Sequence, residues 1–208
     1  MNDIIVKDRR PFIINWGERF FKVRSYTPIP LFIIMFFCDW WRLGDDILVW
    51  STGLFLITMG ESIRLWALRY IGKSSRTRKR KCKRLIKEGP YSFTRNPLYC
   101  GNLLILLGFT TLSELMWLIP IVIFLFYLQY SCIVKWEESI LLEDFPSDAE
   151  RYFKTVPRWL PKWQSIMNHS QMPFKSNYSW SNALQREKST LQFIVVMNSF
   201  MVLKELLY

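Results

Sequence analysis

Apolar residues in this chain come in long blocks parted by charged segments, and that grouping restricts the fold more than any single motif does. Half of the 208 residues (50%) are hydrophobic and 17% are aromatic. In a soluble protein such residues are spaced at helix or strand periods so that one face meets water; continuous blocks instead favour lipid on all sides. A bilayer core about 30 Å thick asks for about twenty apolar residues per helix. Five stretches approach this: Ile29 to Trp41, Ile47 to Ile71, Leu98 to Leu112, Leu115 to Val134, and Thr190 to Leu203. The third and fourth are separated only by Ser113 and Glu114 and read as a helical hairpin. No internal repeat or low-complexity tract divides the chain, so the expectation is one all-α unit over residues 1–208, a polytopic membrane helical bundle of about five transmembrane helices.

Charge gives this bundle an orientation. Loops facing the cytoplasm are enriched in Lys and Arg. The N-terminal arm carries Lys7, Arg9, Arg10, Arg19, Lys22 and Arg24, whereas the next loop carries Asp39, Arg42, Asp45 and Asp46. The loop after the second span holds the run RTRKRKCKRLIK, residues 76–87, and the third-to-fourth connection has only Glu114. This alternation predicts an integral, multi-pass protein with its N-terminus and the segment from Lys135 to Ser189 in the cytoplasm. The net charge of +11 calls for an anionic partner; membrane spans make that the head groups of a cytoplasmic leaflet, with the basic run either docking on lipid or simply fixing topology. Nucleic acid is not expected, because the run lacks interleaved aromatics and any recognised binding module. Cys38, Cys82, Cys100 and Cys132 form no CxxC pair, so neither disulfides nor a metal site is expected. The single histidine, His169, reads as a solvated loop residue. The N-terminus lacks the pattern of a cleaved signal peptide.

The string GPYSFTRNPLY, residues 89–99, stands between the basic loop and the third span. Gly89 and Pro90 signal a turn; Pro97 suits the first position of a helix, with Asn96 placed to cap it. Turn chemistry does not call for Tyr91, Arg95 and Tyr99 at spacings of four, which put hydrogen-bonding and cationic groups at the mouth of the bundle. Arg95 is free either to pair with a carboxylate, that of a ligand or of Glu137 or Glu138, or to snorkel to lipid phosphate. Glu137 and Glu138 close the fourth span, where carboxylates oppose the helix dipole; either the helix continues or cations partner them. Such acids can receive a cationic group and hydroxyls of a ligand, or pair with Lys135 or Arg151. Glu61 and Arg64 share one helix face and are expected to pair structurally, a route for a polar head group being the alternative. Residues from Ser139 to Phe153 suit an amphipathic helix interrupted at Pro146.

Taken together, Gly89, Pro90, Tyr91, Arg95, Asn96, Pro97 and Tyr99, then Glu137 and Glu138, then Val156 and Pro157, resemble the isoprenylcysteine carboxyl methyltransferase and phospholipid methyltransferase family of integral membrane methyltransferases. The resemblance covers roughly residues 60–163, with the stretch at 190–203 as a further C-terminal helix. It implies a cytoplasmic pocket for S-adenosyl-L-methionine held by Leu85, Ile86, Tyr91, Asn96, Pro97, Leu98, Tyr99 and Glu137, with Arg95 and Glu138 as adjacent catalytic candidates. It also implies a lipid-attached or otherwise hydrophobic acceptor. Asn96 stands where prenylcysteine enzymes usually have His, Lys83 replaces another polar residue, and Pro146 and Ala149 stand where Gly and Tyr are common. The acceptor-holding arginine that some relatives place just before the glutamates has no counterpart here, Ile133 or Lys135 falling there. The leading expectation is carboxyl O-methylation. N-methylation of an aminophospholipid head group is the alternative, and a non-catalytic lipid-binding membrane protein is the reading of another class. The sequence is silent on oligomeric state.

Overall fold

Seven α-helices and one 3-10 turn are the regular elements of the computed structural model, which describes residues 11–38, 46–71, 84–160 and 178–207; no strand occurs among the described residues. The helices are α1 (Phe12–Val23), α2 (Ile29–Phe37), α3 (Asp46–Ile71), α4 (Pro97–Leu112), α5 (Leu118–Asp144), α6 (Pro146–Thr155) and α7 (Trp180–Leu207), with the 3-10 turn at Gly89–Ser92. Expectations on Lys7, Arg9, Arg10, Asp39, Trp41, Arg42, Asp45, most of the basic run with Cys82 and Lys83, and His169 lie outside the described residues.

Glycines set the closest helix contact. Gly53 and Gly60 on α3 face Gly108 and Gly101 on the antiparallel α4, one heptad apart on each. A Cβ at Gly60 would stand 2.7 Å from the Gly101 carbonyl oxygen, and one at Gly108 would stand 2.7 Å from that of Gly53. The two backbones touch because neither helix has a side chain there. Gly17 does the same for α1: it lies against the Cys132 carbonyl, and a Cβ there would stand 2.6 Å from Trp136 Cβ. α1 was expected only as a basic arm; it is an amphipathic helix whose Gly17 and Phe21 are buried.

α7 closes the bundle against α3 and α2. Phe193 packs edge-on to Phe32 and Phe109, at ring separations of 5.2 and 6.3 Å. Near its end, buried Lys204 donates from Nζ to the carbonyls of Met35 (3.0 Å), Cys38 (2.9 Å) and Ser113 (3.0 Å). Those oxygens belong to the C-terminal ends of α2 and α4, where unpaired carbonyls carry partial negative charge, so one ammonium fastens three helices.

Among the described residues two helices, α5 and α7, are long and apolar enough to cross a membrane. α5 exposes Ile121, Phe124, Leu125 and Leu128, and α7 exposes Val195, Val196 and Phe200; apolar belts of this extent need lipid or protein cover. Compared with the five expected spans, α2 has nine residues and a rise of about 14 Å, under half the bilayer core. α4 has 16 residues, and α3 carries Glu61, Arg64 and Arg69 within its 26. The fourth stretch, expected to end at Val134, continues helically to Asp144 because its acids find partners on other elements. α6 then starts at Pro146, where the interruption was expected.

Candidate functional site

The GPY turn is built around an aromatic ring. Gly89 takes φ +61°, and the space a Cβ would need is filled by the ring of Tyr70. Only glycine satisfies both the left-handed backbone and the close approach. The turn buries Tyr91, whose carbonyl accepts from Tyr152 Oη at 2.7 Å while its own hydroxyl has no hydrogen-bond partner among the described residues. Burial, with Tyr152 and Glu137 adding to it, holds the Tyr91 phenol well above its usual range, so it remains a neutral donor.

From the turn the chain reaches α4, and two side chains converge on the glutamate pair of α5. Tyr99 Oη donates to Glu137 Oε1 at 2.8 Å. Arg95 Nη1 donates to Glu138 Oε1 at 2.6 Å. Arg158 takes the other side of Glu138, with Nη2 2.6 Å from Oε2 and Nε 3.1 Å from Oε1. Burial lowers the Arg95 guanidinium and the Glu138 charge opposes that; hydrogen bonding to Glu138 raises Arg158. The VPRW segment is laced to this point as a strap. Arg95 donates through its backbone N–H to Pro157 O (2.9 Å) and through Nε to Val156 O (2.9 Å). Thr94 Oγ1 and Asn96 Nδ2 both donate to Arg158 O, at 3.1 and 3.0 Å. Asn96 does occupy the position before α4, but its side chain makes no cap, because the strap takes its amide.

A second polar line runs from the same place into the bundle. The Tyr99 and Tyr130 rings lie 4.6 Å apart, and Asn102 Nδ2 donates to Tyr130 Oη at 3.2 Å. Arg64 donates to Asn102 Oδ1, to Glu187 Oε1 (from Nε at 2.9 Å) and to Thr190 Oγ1 at 3.3 Å. Glu61 is the weaker partner of Arg64, at 3.6 Å. The expected Glu61–Arg64 pairing is thus present but secondary: Arg64 points chiefly to α7, whose Glu187 is buried at 1% exposure. Spacing along α3 alone could not reveal a partner so distant in sequence.

All ten expected site residues, Leu85, Ile86, Tyr91, Arg95, Asn96, Pro97, Leu98, Tyr99, Glu137 and Glu138, line one cavity of about 1270 Å³. So do Arg24, Arg64, Asn102, Tyr130, Tyr152 and Glu187, which the sequence reading did not single out for a site. One signal was available for Asn102, which stands three residues after Tyr99 on the same face of α4. A cavity of this size exceeds the usual range for one small ligand, about 300–1,000 Å³, and has room for two. No cluster of His, Cys, Asp and Glu able to hold a metal occurs among the described residues.

Two curated proteins resemble the chain. The cobalt-zinc-cadmium resistance protein CzcN of Cupriavidus metallidurans is 34% identical over 110 residues, which cover 53% of this chain and 46% of that protein. The nickel-cobalt-cadmium resistance protein NccN of Alcaligenes xylosoxydans xylosoxydans is 30% identical over 120 residues, which cover 58% of this chain and 53% of that protein. The match thus spans about half the length of each relative. No solved structure matches. Residues 49–148 match the family model described as phospholipid methyltransferase, and over that segment, which runs from α3 through the turn, α4 and α5 into α6, the chain is similar to the phospholipid methyltransferase family.

Proposed function

We propose that this protein is an S-adenosyl-L-methionine-dependent methyltransferase of a membrane, acting on a lipid-attached or otherwise hydrophobic acceptor, most simply by carboxyl O-methylation. Residues 1–208 act as one bundle in this reading, with the turn, the glutamates and the strap at its cytoplasmic end. The observation that carries it is the convergence of Tyr91, Tyr99 and Glu137 on one cavity that continues along apolar helix faces. The buried Tyr91 hydroxyl has no hydrogen-bond partner among the described residues, which fits a ligand group as its acceptor.

Bound there against Tyr91, Tyr99 and Glu137, S-adenosyl-L-methionine would supply an electrophilic methyl group to an acceptor carboxylate oxygen and would leave as the neutral thioether, so no proton acceptor would be needed. The residues' work is therefore alignment in dry surroundings. Glu137, held by Tyr99, faces the cavity with a carboxylate suited to a ribose diol or a cationic centre. Leu85, Ile86, Pro97 and Leu98 supply apolar walls. Arg95 and Glu138 act as positioning residues in this reading, since both oxygens of Glu138 are taken by guanidiniums and their joint effect is to hold the strap against Asn96. A second reading, N-methylation of an aminophospholipid, draws on the family description. It requires a proton to leave an amine, and Glu137, whose carboxylate takes a hydrogen bond from Tyr99 alone among the described residues, is the base at hand.

Calorimetry of the purified full chain with S-adenosylhomocysteine tests the cofactor. Micromolar binding is expected, weakened about tenfold or more in Glu137→Gln, since a hydrogen bond to a charged group contributes about 1.5–3 kcal/mol. Glu61→Gln, which does not line the cavity, should change affinity less than about twofold. No binding at millimolar ligand with the fold intact leaves the non-catalytic lipid-binding reading, and equal effects of the two variants would move the pocket elsewhere. Radiolabel recovered as a base-labile ester, rather than a stable amine, separates the two acceptors.

A further inference from the structure

Four arginines line the cavity, and three have a carboxylate: Arg64 with Glu187, Arg84 with Glu88, and Arg95 with Glu138. Arg24 has none among the described residues. Its guanidinium lies 3.6 Å over the ring of Phe21, and Nη1 donates to Phe21 O at 3.3 Å. Phe21 packs on Trp136, ring to ring at 4.9 Å, and Trp136 precedes Glu137 on α5. Gly17 seals α1 onto the same helix, and Gln129 Nε2 donates to Thr27 Oγ1 at 2.7 Å, which ties down the link after α1. Arg24 is therefore fixed beside the cavity, near enough to act electrostatically on Glu137, Tyr99 and Tyr130.

We propose that Arg24 anchors the acceptor: its guanidinium pairs with the anionic oxygen head group of an amphiphile whose tail lies along the apolar wall formed by Leu31, Trp117, Ile121 and Leu125. Those four residues line the same cavity, and Trp117 and Ile121 are exposed on the outer face of α5 and its start. No carboxylate lies within salt-bridge distance of this half-buried guanidinium among the described residues, Glu137 acting on it only from farther off, and an anionic ligand beside the apolar wall would give it the close partner it lacks. The planar guanidinium suits carboxylate and phosphate alike. Arg24 lies outside residues 49–148, so the family match assigns it nothing. The inference rests on the methyltransferase reading only for the word acceptor; the anion site stands on the geometry.

The test is equilibrium binding to the full chain, wild type, Arg24→Gln and Arg24→Lys, with three probes of one chain length: a fatty acid, a lysophosphatidate and the neutral fatty amide, each alongside S-adenosylhomocysteine. Arg24→Gln should lose about tenfold or more for at least one anionic probe, consistent with a charge-assisted pair. Arg24→Lys should lose less, and the amide should bind all three proteins equally. Loss of the fatty acid alone names a carboxylate; loss of the lysophosphatidate names a phosphate. Equal anion binding by wild type and Arg24→Gln overturns the proposal, as does an equal loss for the amide, which would mean packing. Failure of S-adenosylhomocysteine to bind even the wild type would overturn the methyltransferase reading and leave the anion site to be judged on the lipid probes.

Discussion

The two flanks of α4 solve opposite problems with the same helix. Toward α3 it presents Gly101 and Gly108, and the backbones meet with no space between them. Toward α5 it presents Tyr99 and Asn102, whose polar ends reach Glu137 and Tyr130 and whose bulk keeps the helices apart around the cavity. Rigidity is concentrated where no chemistry is available and room is kept where polar groups converge. Arg64 joins the two flanks. Its stem lies against Gly101, 2.5 Å from where a Cβ would stand, while its guanidinium reaches Asn102 and Glu187.

The largest effect is expected at the closed flank. Gly101→Leu places a side chain where the Gly60 carbonyl would be 2.6 Å from its Cβ, and backbone cannot yield as a flexible side chain can. The variant should fail to give monodisperse protein in detergent, whereas Asn102→Leu, which puts the same residue on the open flank with no change in the number of side-chain heavy atoms, should fold and lose chiefly ligand affinity. Size-exclusion profiles of the two would reverse the contrast drawn here if Asn102→Leu were the one that aggregates.

A middle-sized effect is expected at the strap. Glu138→Ala leaves the guanidiniums of Arg95 and Arg158 facing each other without their shared carboxylate. Removing one partner of a well-buried pair costs about 3–5 kcal/mol, and the partial exposure of Arg158, 34%, puts the expectation at about 2–3 kcal/mol. Thermal unfolding should show a large fall for Glu138→Ala. Because Arg158 also anchors through its carbonyl to Thr94 and Asn96, Arg158→Ala should fall less.

These contrasts also explain what was legible beforehand. The start of α4 at Pro97, the break at Pro146 and the gathering of Tyr91, Tyr99 and Glu137 were readable because each rests on local grammar or on a motif. Three features were not readable. The glycines of α3 and α4 look like scattered small residues until the antiparallel register aligns them. Arg24 looks like one more basic residue of an arm until α1 packs on α5. Glu187 sits in a stretch of mixed polarity that reads as a linker before a span, and only the pairing with Arg64 shows why α7 begins so early, at Trp180. In each case the missing information was a contact between residues far apart in sequence.

The smallest expected effect lies at the rim of the open flank, where Lys87 Nζ stands 2.8 Å from Asp148 Oδ1 and ties the segment before the turn to α6. The hydrogen bond from Lys87, then its charge, hold the Asp148 carboxyl below its usual range. A folded-state pKa below the unfolded one means the contribution is complete above the unfolded value, near 4, and is lost as pH falls through the folded value. Both partners are well exposed, so the pair is screened and its contribution to stability is slight. Asp148→Asn should therefore unfold almost with the wild type at neutral pH, and the remaining difference should close in acid. A gap between the two that widened below pH 4 would mean that this rim contact belongs energetically with the strap, and that the open flank is braced from outside as firmly as the closed flank is from within.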